Sequence, residues 1–285
     1  MPTFPASTTD AAPTPLGYLF DLDGVLWRGD QLIPGVRETL AELRRRGKRV
    51  LFISNTSSRS RQQCLEQFRE MGLEVASEEL FIASEATARY IAARRPGATV
   101  YVIGGKQLLE EMCKAGLTAL PAETRLPEPA DYVVVGKDSH LNYTKLTCAL
   151  RALRAGAQLV AVNMDMTVPA SDGLEPGAGA IVTAIAAMVG RQPDVMIGKP
   201  SPFLLQQALD AFGLQPSECV MVGDTPEADV AAGKLLGVRT ALVLTGNTAR
   251  SDLENGEALP PAHMPDMVLD SLTDLLRYER EGFPV

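Results

Sequence analysis

Asp21 and Asp23 stand one residue apart where the apolar run Tyr18-Leu19-Phe20 stops and Gly24 opens a turn. Side chains at alternate positions of a strand leave on the same side, so the two carboxylates emerge together. A rigid strand behind them and a flexible glycine ahead suit a site that holds a divalent metal or receives a phosphoryl group. A surface Asp-Gly turn is the plainer reading of the same residues, and the rest of the chain has to decide between them. An EF-hand calcium loop is excluded, because the position that would carry its last acidic ligand, counted from Asp21, is Leu32.

Complementary chemistry recurs at other strand ends. The run Arg49 to Ile53 stops at Ser54-Asn55-Thr56, where hydroxyls and amides ahead of a helix suit an anion. Ordinary helix capping by Ser58 or Ser60 is the alternative there. Lys199, with Pro200 after it, precedes a helix, and such a lysine is usually solvated. Cys219 to Val222 ends in Gly223-Asp224, with Asp229 five residues on, which repeats the opening arrangement of an apolar strand running into carboxylates. Gly104-Gly105-Lys106 and Gly136-Lys137 lack the spacing of a phosphate-binding P-loop and read as turns.

The elements that position these residues alternate. Helical spacing covers Val36 to Arg46, Arg61 to Met71, Ser84 to Arg95, Lys106 to Ala115, Tyr143 to Ala155, Gly177 to Val189 and Phe203 to Phe212. Between them lie short, nearly continuous apolar runs of the kind found in strands buried on both faces. Strand, helix, strand in succession predicts right-handed βαβ units and an α/β fold with a Rossmann-like parallel sheet. After Pro96-Gly97 a second α/β series, from Thr99 to Val162, interrupts the first. The expected organisation is a tail over 1–15, a core built from 16–88 and 190–285, and an inserted α/β unit over 89–189, with boundaries good to about ten residues. Thr167 to Pro176 reads as a loop, and the polar region after Leu244 as loops closing on a helix near Ser271 to Arg280. In such sheets ligands bind beyond the carboxyl ends of the strands, so Asp21, Asp23, Ser54, Lys199 and Asp224 share one cleft despite their separation in sequence.

Composition narrows the function. A hydrophobic content of 46% over 285 residues supports a substantial core. A net charge of −8 argues against general binding to nucleic acid or anionic membranes, and no apolar run reaches the ~18 residues of a membrane span. The Pro-, Ala- and Thr-rich start reads as a disordered tail rather than a signal peptide. Cys64, Cys113, Cys148 and Cys219 form no C-x-x-C pair and read as reduced, buried thiols of a cytoplasmic protein. With two histidines in the chain, carboxylates and lysines are left to do the chemistry.

Asp21-Leu22-Asp23-Gly24, Ser54-Asn55, Lys199-Pro200 and Gly223-Asp224 with Asp229 resemble, in order, the four motifs of the haloacid dehalogenase (HAD) superfamily. Val133-Val134-Val135-Gly136, Tyr143-Thr144-Lys145-Leu146, Asn163-Met164-Asp165 and Pro176-Gly177-Ala178-Gly179 resemble its subclass IIA, the NagD, 4-nitrophenyl phosphatase and pyridoxal or phosphoglycolate phosphatase group. The resemblance implies a Mg²⁺-dependent phosphomonoesterase acting on a small phosphorylated metabolite, with the inserted unit as a cap that selects it. It implies Asp21 as nucleophile and Asp23 as general acid and base. Asp21, the Asp23 carbonyl and Asp224 would hold Mg²⁺, with Asp229 fixing that shell or bonding Lys199. Ser54, Asn55, Thr56 and Lys199 would hold the phosphoryl group. Asn163 and Asp165 would either meet the leaving group or merely order their loop. A homodimer through the cap is a further implication. Thr56 stands where the family often has a second Asn, and Thr225 where many members have Arg or Asn. Both departures weaken any transfer of substrate preference from one member of the family, and neither removes a group needed for chemistry.

Overall fold

The computed structural model describes residues 14–121, 130–170, 173–255 and 259–283. The chain opens with strand β1 (Gly17–Phe20), the hairpin β2 (Trp27–Arg28) and β3 (Gln31–Leu32), helix α1 (Val36–Arg45), β4 (Arg49–Ser54), α2 (Arg61–Glu70), β5 (Leu80–Ile82) and α3 (Ala83–Arg94). It continues with β6 (Thr99–Ile103), α4 (Lys106–Lys114), β7 (Thr118–Pro121), β8 (Tyr132–Val135), α5 (Tyr143–Arg154), β9 (Gln158–Ala161), β10 (Thr167–Ala170), β11 (Gly173–Pro176), α6 (Ala178–Val189) and β12 (Val195–Met196). The last part holds α7 (Phe203–Phe212), β13 (Cys219–Gly223), α8 (Ala231–Leu236), β14 (Arg239–Val243), α9 (Arg250–Asn255), β15 (Met267–Leu269) and α10 (Asp274–Glu281).

Two parallel sheets result. One runs β15-β14-β13-β1-β4-β5, and the other, inserted between β5 and β13, runs β12-β9-β8-β6-β7. This is the expected Rossmann-like α/β core with an inserted α/β cap. Buried strands divide their side chains between two layers: Tyr18 and Phe20 of β1 face one apolar cluster with Phe52, Phe68 and Trp27, while Leu19 faces another with Leu51 and Ile53. That second cluster continues without a break through Leu204, Leu205 and Ile91 of α7 and α3 to Val100, Val102, Val134 and Val160 of the inserted sheet. The two sheets therefore share one apolar layer of helices. The far side of the inserted sheet is closed by α5 and α6 through Cys148, Ala152, Val182 and Ile185.

Several expectations need correction. Thr167 to Pro176 is not a loop but the antiparallel hairpin β10–β11. Its second strand is exposed at every residue, so no apolar alternation marks it in the sequence. Trp27 to Leu32 forms a second, two-strand hairpin with Gly29-Asp30 at its tip. The C-terminal region contains β15, whose Met267 and Leu269 are buried, a run too short to stand out. Cys64, Cys148 and Cys219 are buried, but Cys113 is exposed on the outer side of α4. Ser60, not Ser58, caps α2, accepting from the Gln63 amide at 3.3 Å while its own amide donates to Gln63 Oε1 at 2.9 Å.

Candidate active site

The central strand β1 lies between β4 and β13, so the chain leaves it toward one edge and returns on the other. Such a reversal opens a crevice at the carboxyl ends of the strands. Asp21 follows β1, Ser54 ends β4 and Asp224 follows β13. Gly24 makes the close approach of these ends feasible: its φ of +81° lies in the left-handed region, and a Cβ there would sit 2.1 Å from Asp224 Oδ2. Any side chain at this position is therefore excluded twice.

Lys199 ties the cluster together. Its side chain is 2% exposed, and its Nζ donates to Asp21 Oδ1 and to Asp229 Oδ1, each at 2.6 Å. Asp229 sits in a π-helical turn, Pro226–Val230, and its other oxygen accepts the amides of Asp224 and Thr225, both at 3.1 Å. Asp224 is held in turn by Thr225 Oγ1 at 2.9 Å, by the Asn247 amide at 2.6 Å and, through its carbonyl, by Thr248 Oγ1 at 2.7 Å. Asp23 is exposed, and its Oδ1 accepts from Trp27 Nε1 at 2.9 Å.

One carboxyl oxygen from each of Asp21, Asp224 and Asp229 lies within 4.8 Å of the others. Two buried carboxylates and the half-buried Asp21 thus face a single ammonium, an excess of negative charge that a divalent cation would neutralise. Burial, reinforced by Asp229 and Asp224 and opposed by Lys199, pushes the Asp21 carboxyl above its ordinary range. Burial and the Asp229 carboxylate push Asp224 up to about 6. Burial works against a charge on Lys199, but Asp21 and Asp229 outweigh it and hold the ammonium protonated. Asp229 serves Lys199 and two amides, Asp224 serves Thr225 and Asn247, and Asp21 serves Lys199, so each carboxylate that meets a cation here does so alongside these bonds. A pH effect follows. Asp224 ionises more reluctantly in the folded than in the unfolded chain, so metal-free protein loses stability as pH rises through about 6, and a bound cation removes that cost. Mg²⁺ should therefore raise the melting temperature more at about pH 7.5 than at about pH 5. An equal rise at both, measured by calorimetry, would contradict the metal role of this cluster.

The remaining predicted residues form an adjoining network. Ser54 is buried and its Oγ accepts the Thr56 amide at 3.2 Å, while Thr56 Oγ1 accepts the Ser58 amide at 3.3 Å. Asn55 binds Lys199 through backbone at both ends, Oδ1 accepting from Lys199 N at 2.8 Å and Nδ2 donating to Lys199 O at 3.1 Å. The same Nδ2 donates to Asp165 Oδ1 at 3.0 Å, and Asn163 Nδ2 donates to Asn55 O at 2.6 Å. The cap loop after β9 is thus fastened to the loop after β4, and a bond from the Lys137 amide to Ser57 Oγ at 2.8 Å adds a second tie. Close packing explains the small residues that open α6: Cβ atoms at Gly177 and Gly179 would lie 2.0 Å from Asp165 O and 2.2 Å from Met164 O. Trp27, Asn247 and Thr248 were missed by sequence reasoning, and Thr225 was noted only as a departure from the family's pattern. Asn247 and Thr248 lie just past β14, and the rule applied to the other strands, polar groups beyond a carboxyl end, finds them.

Residues 18–118 match the description of a haloacid dehalogenase-like hydrolase, and residues 196–275 that of a HAD-hydrolase-like domain. The chain belongs to the haloacid dehalogenase superfamily, in its subclass IIA of NagD-like and nitrophenyl phosphatase-like enzymes. Family, fold and aspartate cluster together make it a HAD-type phosphatase. It is 33% identical to the sugar-phosphatase AraL of Bacillus subtilis over 273 residues, 96% of each chain. Among solved structures it superposes on a p-nitrophenyl phosphatase from Archaeoglobus fulgidus with a TM-score of 0.84 and 41% identity, covering 93% of this chain and 99% of that one. A glycerol phosphate phosphatase from Mycobacterium tuberculosis, solved with magnesium, matches with a TM-score of 0.82 and 30% identity, over 93% and 77% of the two chains. Among the described residues no helix is long and apolar enough to cross a membrane.

Proposed function

We propose that the enzyme hydrolyses phosphomonoesters of small metabolites in two displacements at Asp21. The observation that carries this reading is the contact of Lys199 with both Asp21 and Asp229 at the end of the central strand, beside Asp224. In the first displacement an Asp21 oxygen attacks phosphorus, the bond from phosphorus to the leaving oxygen breaks, and Asp23 gives that oxygen a proton. In the second, Asp23 takes a proton from water, which attacks the aspartyl-phosphate, releases inorganic phosphate and returns the Asp21 carboxylate. Lys199 offsets charge on the nucleophile, while the Ser54 hydroxyl, the Asn55 amide and Thr56 hold phosphoryl oxygens. Asp21, the Asp23 carbonyl and Asp224 would hold Mg²⁺, which would supply positive charge to the phosphoryl group. Asp229 positions Lys199, and Asn163 and Asp165 set the cap loop against the leaving group.

The names of relatives that act on sugar phosphates and glycerol phosphate favour a polyol or sugar phosphate as substrate. The test is phosphate release across a panel of phosphorylated sugars, polyols, nucleotides, phosphoglycolate and pyridoxal phosphate. Release from the polyol and sugar esters is expected to stop with EDTA and to return when Mg²⁺ is added in excess. Turnover that persists in chelated protein would remove the metal from the mechanism, and a preference for nucleotides would overturn the substrate class.

A further inference from the structure

The hydrogen bond on Asp23 comes from a residue outside the four motifs. Trp27 is fully buried, yet the edge of its ring reaches the exposed Asp23 carboxylate, with Nε1 2.9 Å from Oδ1. Three contacts fix the indole. Its backbone turns back on the aspartate, the Gly24 amide donating to Trp27 O at 2.8 Å and Asp23 bridging to Trp27. The hairpin pairs Trp27 with Leu32. Phe68 of α2 meets the ring edge-on, with centroids 4.9 Å apart and planes at 76°. An indole N–H donates and never accepts. The bond therefore holds Oδ1 toward the indole and leaves Oδ2 as the oxygen turned away from it. A carboxyl free to rotate would offer either oxygen, and a misaimed proton donor loses much of its catalytic effect.

We infer that Trp27 is a positioning residue that aims the Asp23 carboxyl, so that its free oxygen delivers the proton to the leaving group. The inference rests on the role of Asp23 as proton donor, and the experiment separates the two. Two esters with the same ring serve as probes: p-nitrophenyl phosphate, whose phenolate departs without a proton, and phenyl phosphate, whose leaving group needs one. In Trp27→Phe, which keeps an aromatic ring but lacks the donor, kcat/KM for phenyl phosphate should fall by about tenfold or more relative to p-nitrophenyl phosphate. Asp23→Asn should show the same selective loss, and the double variant no further selectivity. Replacing Trp27 with its benzothienyl isostere, where sulfur stands for N–H, repeats the measurement with the packing intact, and it decides the matter if Trp27→Phe does not fold. Equal losses on both esters, or none, in the folded Trp27 variants would overturn the inference and leave Asp23 untouched. Absence of selectivity in Asp23→Asn would remove the proton-donor role, and the inference with it.

Discussion

Asp21→Asn is expected to lower turnover by about 10⁴-fold or more and, in metal-free protein, to raise the melting temperature by about 2–4 °C. The two effects have one source. An amide has the shape of the carboxylate but cannot open a bond to phosphorus, and hydrolysis of phosphate monoesters is among the slowest reactions in water. The same substitution removes one of three carboxylates that crowd a single ammonium, and burial already lifts the Asp21 carboxyl above its ordinary range. The amide oxygen can still accept from Lys199, which keeps its bond to Asp229 at 2.6 Å. Phosphate release and thermal melting in EDTA check both halves. Substantial turnover by folded, pure Asp21→Asn would end the nucleophile assignment. A melting point well below that of the wild type would show that the pair with Lys199 outweighs the crowding.

Lys199→Met gives the second large effect, this time mainly on stability. Methionine matches the length of the lysine stem and carries no charge, so Asp21, Asp224 and Asp229 are left with no ammonium among them. Lys199 is 2% exposed and water cannot replace it. Stripping one side of a buried ion pair costs about 3–5 kcal/mol, and turnover should fall by about 10²-fold or more with the loss of the fixed positive charge. The deficit should narrow in acid. Without the lysine, the carboxylates ionise less readily in the folded chain than in the unfolded one, so the variant loses stability as pH rises and recovers it as they protonate. Denaturant unfolding at about pH 5 and about pH 7.5 measures the difference. A variant as stable as the wild type at the higher pH would mean that the cluster is balanced by something other than Lys199.

Much of this site was legible because the same physical cue appears at each contributing strand. Asp21, Ser54 and Asp224 are polar residues placed where an apolar run ends, and the parallel topology does the rest. Lys199 was harder to read, since nothing local distinguishes it from a solvated lysine. Its pairing with Asp229 exists only once β13 and the loop before α7 lie side by side. Trp27 carries no polar cue at all, because an indole near a turn reads as packing, and only the hairpin directs its N–H toward Asp23. Asn55 has a second use that the sequence does not announce. Its side chain binds the Lys199 backbone and Asp165, a contact that depends on the cap folding back over the core and that leaves the backbone amide as its group for an anion. Strands β7, β11 and β15 escaped for want of length or of a buried face.

The apolar layer common to the two sheets bears on how substrate range can change in this lineage. A cap joined only by linkers could be traded between relatives as a cassette. Here Ile91, Leu204 and Leu205 sit in a single cluster that reaches both Leu19 and Leu51 of one sheet and Val100 and Val134 of the other. A transplanted cap would have to arrive with a matching underside or leave that layer open to water. Chimeras divided at the linkers should consequently express poorly, while exchanges confined to the short Asn163–Asp165 loop leave the shared layer intact. A foreign cap would cost this chain part of its core, whatever substrate it brought.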